Sequence, residues 1–142
     1  MYDAGIWYLG VAGHLIRGKN MTTGIGLATI TPRKITTTAG VRLFDRRLTV
    51  AAQWASFGAN RDLPAGYLPS TTYDLVNIHM TYAATKDIML SASVDNLLNQ
   101  YYRPYAIPGS SVDGTTQNDV LFSSPGPGIV FKAGAKVHFG GA

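Results

Sequence analysis

The chain has 142 residues, with 12 Lys and Arg against 8 acidic residues for a formal charge of +4, and it is 46% hydrophobic with 16 Gly and no Cys. This length suggests one domain at most. All eight acids are Asp and there are 14 Thr, a composition poor in strong helix formers that favours strands and turns and argues against a helical bundle. No apolar run approaches the roughly 18 residues of a membrane helix, and the lack of cysteine removes disulfides and thiolate metal sites. A modest basic excess is weak ground for a nucleic acid partner, and none is assigned. Residues 1–10 have no Lys or Arg ahead of the apolar stretch and no small-residue cleavage site, so they do not read as a signal peptide.

Six segments alternate apolar and polar residues over about the 9–11 positions that a tilted strand needs to cross a bilayer. The first, near 5–16, sets Trp7, Leu9, Val11 and Leu15 against Tyr8, Gly10, Ala12 and His14, with Ile6 and Ile16 blurring the polar side. From 34 to 43, Ile35, Thr37, Ala39, Val41 and Leu43 oppose Lys34, Thr36, Thr38, Gly40 and Arg42. From 48 to 57, Leu48, Val50, Ala52 and Trp54 oppose Thr49, Ala51, Gln53 and Ala55. The run 73–83 sets Val76, Ile78, Met80 and Tyr82 against Asn77, His79 and Thr81, and 88–96 sets Ile88, Leu90, Ala92 and Val94 against Met89, Ser91, Ser93 and Asp95. The last, 129–139, opposes Ile129, Phe131, Ala133, Ala135, Val137 and Phe139 to Val130, Lys132, Gly134, Lys136 and His138. Successive strand side chains point to opposite faces, so each run has one apolar and one polar side.

The connections at 44–47 and 84–87 are short, whereas 17–33, 58–72 and 97–128 are long and rich in Gly, Pro, Asn and Asp. Outer-membrane barrels show this asymmetry, with short periplasmic turns and long extracellular loops. The pattern predicts an all-β, antiparallel, up-and-down transmembrane barrel segment of six strands, apolar face to lipid and polar face to the lumen, with both ends periplasmic. Trp7, Phe44, Trp54, Phe57, Tyr73, Tyr82, Phe131 and Phe139 near the run ends suit interfacial girdles. Six strands fall short of the eight at which single-chain bacterial barrels begin, and unpaired backbone edges in hydrocarbon cost several kcal/mol per group, roughly. The expectation is a fragment: barrel strands over 1–139, a short tail at 140–142, and further strands and a plug domain lying elsewhere.

At 95–105, Asp95-Asn96-Leu97-Leu98-Asn99-Gln100-Tyr101-Tyr102-Arg103-Pro104-Tyr105 resembles the penultimate-strand signature of TonB-dependent outer-membrane receptors. Pro32-Arg33-Lys34, Tyr73-Asp74-Leu75-Val76-Asn77 and Pro125-Gly126-Pro127-Gly128 resemble, in order, other strand starts of that family. Gly128 stands where Arg is common, and Gly140-Gly141-Ala142 follow the aromatic that often ends such chains. Within the family, the turn at 43–49 and the long 105–127 loop look most like receptors for haem or haem proteins, the haemoglobin/transferrin/lactoferrin group. The resemblance implies a binding and transport protein, not an enzyme, in the outer membrane of a Gram-negative bacterium. Its partners would be outer-membrane lipid, the plug and earlier strands, TonB acting through the plug, and haem or a haem protein as cargo, with no intrinsic cofactor. Transport needs those other parts. A ferric siderophore or another substrate is the alternative cargo.

Parity places Lys34, Arg42, Gln53, Asn77, His79, Asp95, Lys132 and Lys136 on the polar, lumen side. His14, His79 and His138 could ligate haem iron, but a role as polar wall residues is the preferred reading, with His79 the first to test. Lys34, Arg42, Lys132 and Lys136 could guide haem propionates; pairing with acids of a plug is preferred. Tyr101, Tyr102, Arg103 and Tyr105 are the candidate ligand contacts, since Tyr and Arg dominate binding hot spots. Asp113, Asn118 and Asp119 lack EF-hand spacing, so no metal is assigned. No G-x-S-x-G elbow, paired carboxylate set or phosphate loop is present, and no catalytic residue is assigned. Competing readings are a small soluble β-barrel or sandwich around an apolar ligand and a self-assembling pore of six-stranded subunits.

Overall fold

The computed structural model describes residues 1–27, 30–59, 71–104 and 125–139. The strands are β1 (Tyr2–Asp3), β2 (Trp7–His14), β3 (Lys34–Leu43), β4 (Leu48–Phe57), β5 (Tyr73–Ala83), β6 (Ile88–Asp95) and β7 (Val130–Val137). They form one open antiparallel sheet in chain order, with each strand beside its sequence neighbours. This is an incomplete up-and-down β-barrel wall. It has a turn end, where short connections cluster, and a loop end, where the long ones leave.

The strand count differs from the expected six because β1 folds back on β2, pairing Tyr2 with Leu9 and Asp3 with Tyr8. Two residues carry no period, so alternation could not reveal them. β1 runs towards the turn end, against the expectation of an even count. The bounds of β3, β4 and β5 coincide with the alternating runs.

Register keeps the two faces separate across the sheet. Trp7, Val41, Val50 and Met80 form one row of opposed residues on the apolar face, and Ala51, His79, Ser93 and Lys132 form one on the polar face. Asp74 is an exception to the polarity rule. It opposes Ser56, on the apolar face at the loop end, where a charge is closest to water.

Among the described residues only Gly26, Gly40, Ala55, Gly58, Tyr73 and Asn96 are buried. The apolar face is open, with Val11 66% and Phe131 72% exposed. A soluble sandwich would close its apolar face into a core, and a sheet-sized apolar surface is not stable in water. Hydrocarbon is the medium this face fits.

The turns explain themselves locally. Phe44, Asp45 and Arg46 all take left-handed backbone, with φ of 52°, 53° and 65°, and Arg47 N–H closes the turn on Phe44 O at 3.0 Å. In the other turn, Thr85 Oγ1 accepts the N–H of Asp87 and of Ile88 at 3.2 and 3.0 Å, a local bond that favours a turn over a continuing strand. The Arg47 guanidinium donates to Ala83 O and Ala84 O, at 3.2 and 2.6 Å, and ties the two turns together.

Candidate functional site

On the polar face at the loop end, register sets Phe57, the last residue of β4, opposite Tyr73, the first of β5. Their rings stack at 4.5 Å and 16°. Tyr73 stacks in turn on Tyr102 at 4.8 Å and 30°. The Tyr102 ring can lie there because Gly126 has no side chain, since a Cβ at 126 would come within 2.1 Å of it. Gly126 N–H also donates to Tyr102 O at 2.9 Å. The Lys34 ammonium sits 5.1 Å from the Phe57 ring centre, where the ring quadrupole attracts a cation.

Beside this stack lies a cavity of about 280 Å³ lined by His14, Thr31, Pro32, Lys34, Phe57 and Tyr73, among others. Register pairs His14 with Lys34 at its edge. A flat aromatic wall with an imidazole and an ammonium beside it suits a planar group bearing negative charge: stacking fixes the plane, the ammonium meets the charge and the imidazole offers a hydrogen bond.

A second cluster holds the base of the last loop. Asn96 is 3% exposed and has φ of 51°. Its amide donates to Gln100 O and Pro127 O at 2.9 and 3.1 Å, and its Oδ1 accepts Gln100 N–H at 2.9 Å. Its backbone N–H donates to Asn77 Oδ1 at 2.9 Å, and Asn77 reaches Gln53 at 3.5 Å. Asn99, with φ of 48°, accepts Ile129 N–H at 3.1 Å. Asparagine tolerates left-handed backbone because its short amide bonds locally. The 95–105 signature therefore has a structural task here: it clasps β5, β6 and the start of β7 at the foot of the loop.

The charges on the polar face are partly matched within the chain. Arg42 binds Asp3 through two bonds of 2.8 Å and donates to Gly5 O at 2.9 Å. It also lies 4.7 Å from the Tyr8 ring centre, while Tyr8 in turn lies over Gly40, where a Cβ would meet it at 2.3 Å. Asp3 stands at the turn-end rim, in a strand too short to cross a bilayer. The Arg42 hydrogen bond, then the Gly5 N–H, hold its carboxyl down to about 2. Lys132 pairs with Asp95 across β6 and β7.

Of the residues expected on the lumen side, Lys34 joins the cavity, Arg42 and Asp3 form the rim pair, Gln53 and Asn77 lead into the clasp, and Asp95 holds Lys132. His79 opposes Ser93 beside Lys132 in a shallow groove, and Lys136 opposes Met89 near the turn end. The three histidines are not brought together: His14 is at the loop end, and His138 follows β7 with its N–H on Asp87 O at 2.9 Å. Among the described residues no three acidic or imidazole groups are placed to hold a metal ion.

The three described loop candidates divide. Tyr102 enters the stack, Tyr101 is 69% exposed, and Arg103 Nε donates to the Tyr101 hydroxyl at 3.3 Å. Tyr105, Asp113, Asn118 and Asp119 lie outside the described residues. Phe57 and Tyr73, expected in the lipid girdle, face the polar side instead. Their odd numbers in runs whose even positions are apolar carried that information. The girdle assignment gave precedence to their place near the run ends.

The polarity of the faces, the unequal connections and the open sheet define a segment of a membrane β-barrel wall. No protein-family model matches the chain, and no curated protein does. Solved structures do. The copper transporter OprC matches with a TM-score of 0.82 at 19% identity, over 97% of this chain and 22% of its own. The ferric enterobactin receptor PfeA of Pseudomonas aeruginosa, as a mutant, matches at 0.69 and 19%, over 94% of this chain and 20% of its own. Another PfeA mutant, in complex with enterobactin, matches at 0.66 and 21% identity. At such identity the likeness establishes the fold. The chain spans about a fifth of these structures, 22% and 20% of OprC and PfeA. It shares the barrel wall of a transporter and a receptor, neither of them named as an enzyme.

Proposed function

We propose that the chain is the C-terminal wall segment of a TonB-dependent receptor in the Gram-negative outer membrane, and that it contributes to binding an anionic iron complex on its way through the barrel. In this reading the loop end is extracellular, the turn end is periplasmic, and the polar face lines the lumen. The observation that carries it is the cavity between Lys34, His14 and the Phe57–Tyr73 stack, at the loop end of the polar face. Haem is the first cargo, as the haem-receptor resemblance implies, with its propionates meeting the Lys34 ammonium. A ferric siderophore is the second, supported by the likeness to a receptor with enterobactin bound. The plug, the other strands and TonB supply transport, and lipid surrounds the apolar face.

The test uses the full receptor carrying this segment, with Tyr73→Ala and Lys34→Gln, and titrates haem and a ferric catecholate siderophore. One cargo is expected to lose about tenfold in affinity, near 1.4 kcal/mol, and the cargo that loses affinity identifies the class. Unchanged binding of both would remove the cavity from the path.

A further inference from the structure

The connection from β2 to β3 stays paired beyond the strands. Lys19 bridges Gly26, Leu27 N–H donates to Gly18 O at 3.2 Å, and Gly24 N–H donates to Asn20 O at 2.8 Å. Asn20 Oδ1 closes the tip by accepting Thr22 and Thr23 N–H at 2.8 and 3.2 Å. Leu15, Arg17 and Lys19 share the odd parity of the apolar side of β2, and with Ile16 and Gly18 they line one cleft.

Arg33 reaches the same side independently. Gly58 N–H donates to Arg33 O at 2.9 Å, extending the β3–β4 ladder by one pair. The Arg33 side chain lies across Gly58, where a Cβ would meet its Cγ at 2.5 Å. Gly58 has the parity of Leu48 and Trp54, so Arg33 stands on the apolar face at its rim. Between these elements is a cleft of about 680 Å³ lined by Leu15, Ile16, Arg17, Leu27, Ile30 and Arg33, among others. Leu15 and Ile16 are 62% and 55% exposed. Among the described residues no acid lines the cleft; Asp74, on the same face one step into the sheet, opposes Ser56.

We propose that this cleft holds the phosphate-bearing headgroup of an outer-leaflet lipid, with Arg17 and Arg33 on the phosphate and Leu15, Ile16, Leu27 and Ile30 against the first carbons of an acyl chain. The inference rests on the barrel reading above, which puts this rim at the outer surface of the membrane. Guanidinium binds phosphate oxygens two at a time. A free phosphate would leave the apolar floor unused, whereas a lipid covers both parts at once. The cavity proposed for cargo meets this cleft at Thr31 and Pro32 and extends from them towards Lys34, Phe57 and Tyr73 on the polar face.

The test extracts the full receptor from outer membranes in mild detergent, as wild type, as the Arg17→Gln/Arg33→Gln double variant, and as Lys86→Gln at the other rim. Each is incubated with lipid A, with dephosphorylated lipid A, or with lipid A plus inorganic phosphate, and retained lipid is counted by native mass spectrometry. Wild type and Lys86→Gln should hold lipid A alike, and the double variant about tenfold less tightly. Dephosphorylated lipid A should not be retained, and inorganic phosphate should not displace lipid A. Equal retention by the double variant overturns the site, as does equal retention of the dephosphorylated lipid or displacement by phosphate alone. All proteins should fractionate with the outer membrane and migrate as heat-modifiable barrels. Failure there overturns the barrel reading and this site with it, whereas lost lipid selectivity in an intact barrel overturns the lipid site alone.

Discussion

The side-chain oxygen of Asn77 accepts the backbone N–H of Asn96 at 2.9 Å, and through that bond the middle of the sheet grips the foot of its last loop. Asn96 passes the grip on to Pro127, just before β7, so three strands meet at one buried amide. Replacing Asn96 with Ala strands these partners and removes the local amide bonds that let this residue hold left-handed backbone. The expected loss is about 2–3 kcal/mol, read from urea unfolding in detergent. Asn96→Gly should recover about 1 kcal/mol of it, because it removes the backbone strain and not the lost bonds.

Gly40 makes room for Tyr8, and Tyr8 lies against Arg42. Gly40→Ala should therefore cost about 1–3 kcal/mol, while the same change in a Tyr8→Ala background should cost much less. A double-mutant cycle measures the coupling. Additive effects would show that the ring is not what the glycine accommodates.

The Asp3 carboxyl, lowered from 3.8 to about 2 by Arg42 and the Gly5 N–H, predicts an acid dependence of the β1–β3 contact. A depressed carboxylate contributes stability that is complete above its unfolded value and is lost as pH falls through the folded one. Protection of the Asp3 region should hold at pH 5 and fade on the order of pH 2–4. In Arg42→Gln, carboxyl NMR should show the Asp3 titration moving up towards its ordinary value, with the Gly5 N–H still holding it somewhat below.

The two faces predict opposite responses to one charge. Ala92 lies on the apolar face near mid-strand and Ser91 on the polar face beside it. In bilayers, Ala92→Arg should cost about 2–4 kcal/mol and Ser91→Arg much less. Equal costs in a folding titration would mean that the apolar face does not meet lipid.

Much of the fold was legible because strand side chains repeat every second residue, and a register shift of one would turn a whole face over. That period fixed which residues share a side, and for β3, β4 and β5 it also fixed where the strands begin and end. The residues at 95–105 were visible as a signature, but their physical task was not. Asn96 meets Pro127 31 positions away and Arg42 meets Asp3 39 positions away, and no local pattern encodes either meeting.

By itself the sequence determined the strands, their polarity, the unequal connections and hence the barrel wall, since these follow from the period of the side chains and from turn chemistry. Only the tertiary structure decided which polar residues neutralise one another, that Phe57, Tyr73 and Tyr102 form one stack, that Tyr2 and Asp3 add a strand, and that Arg33 lies across Gly58 at the rim of the apolar face. Each depends on which positions of neighbouring strands come opposite one another and on whether a glycine leaves space for a ring or a guanidinium. Alternation along one strand carries no record of its neighbour's register.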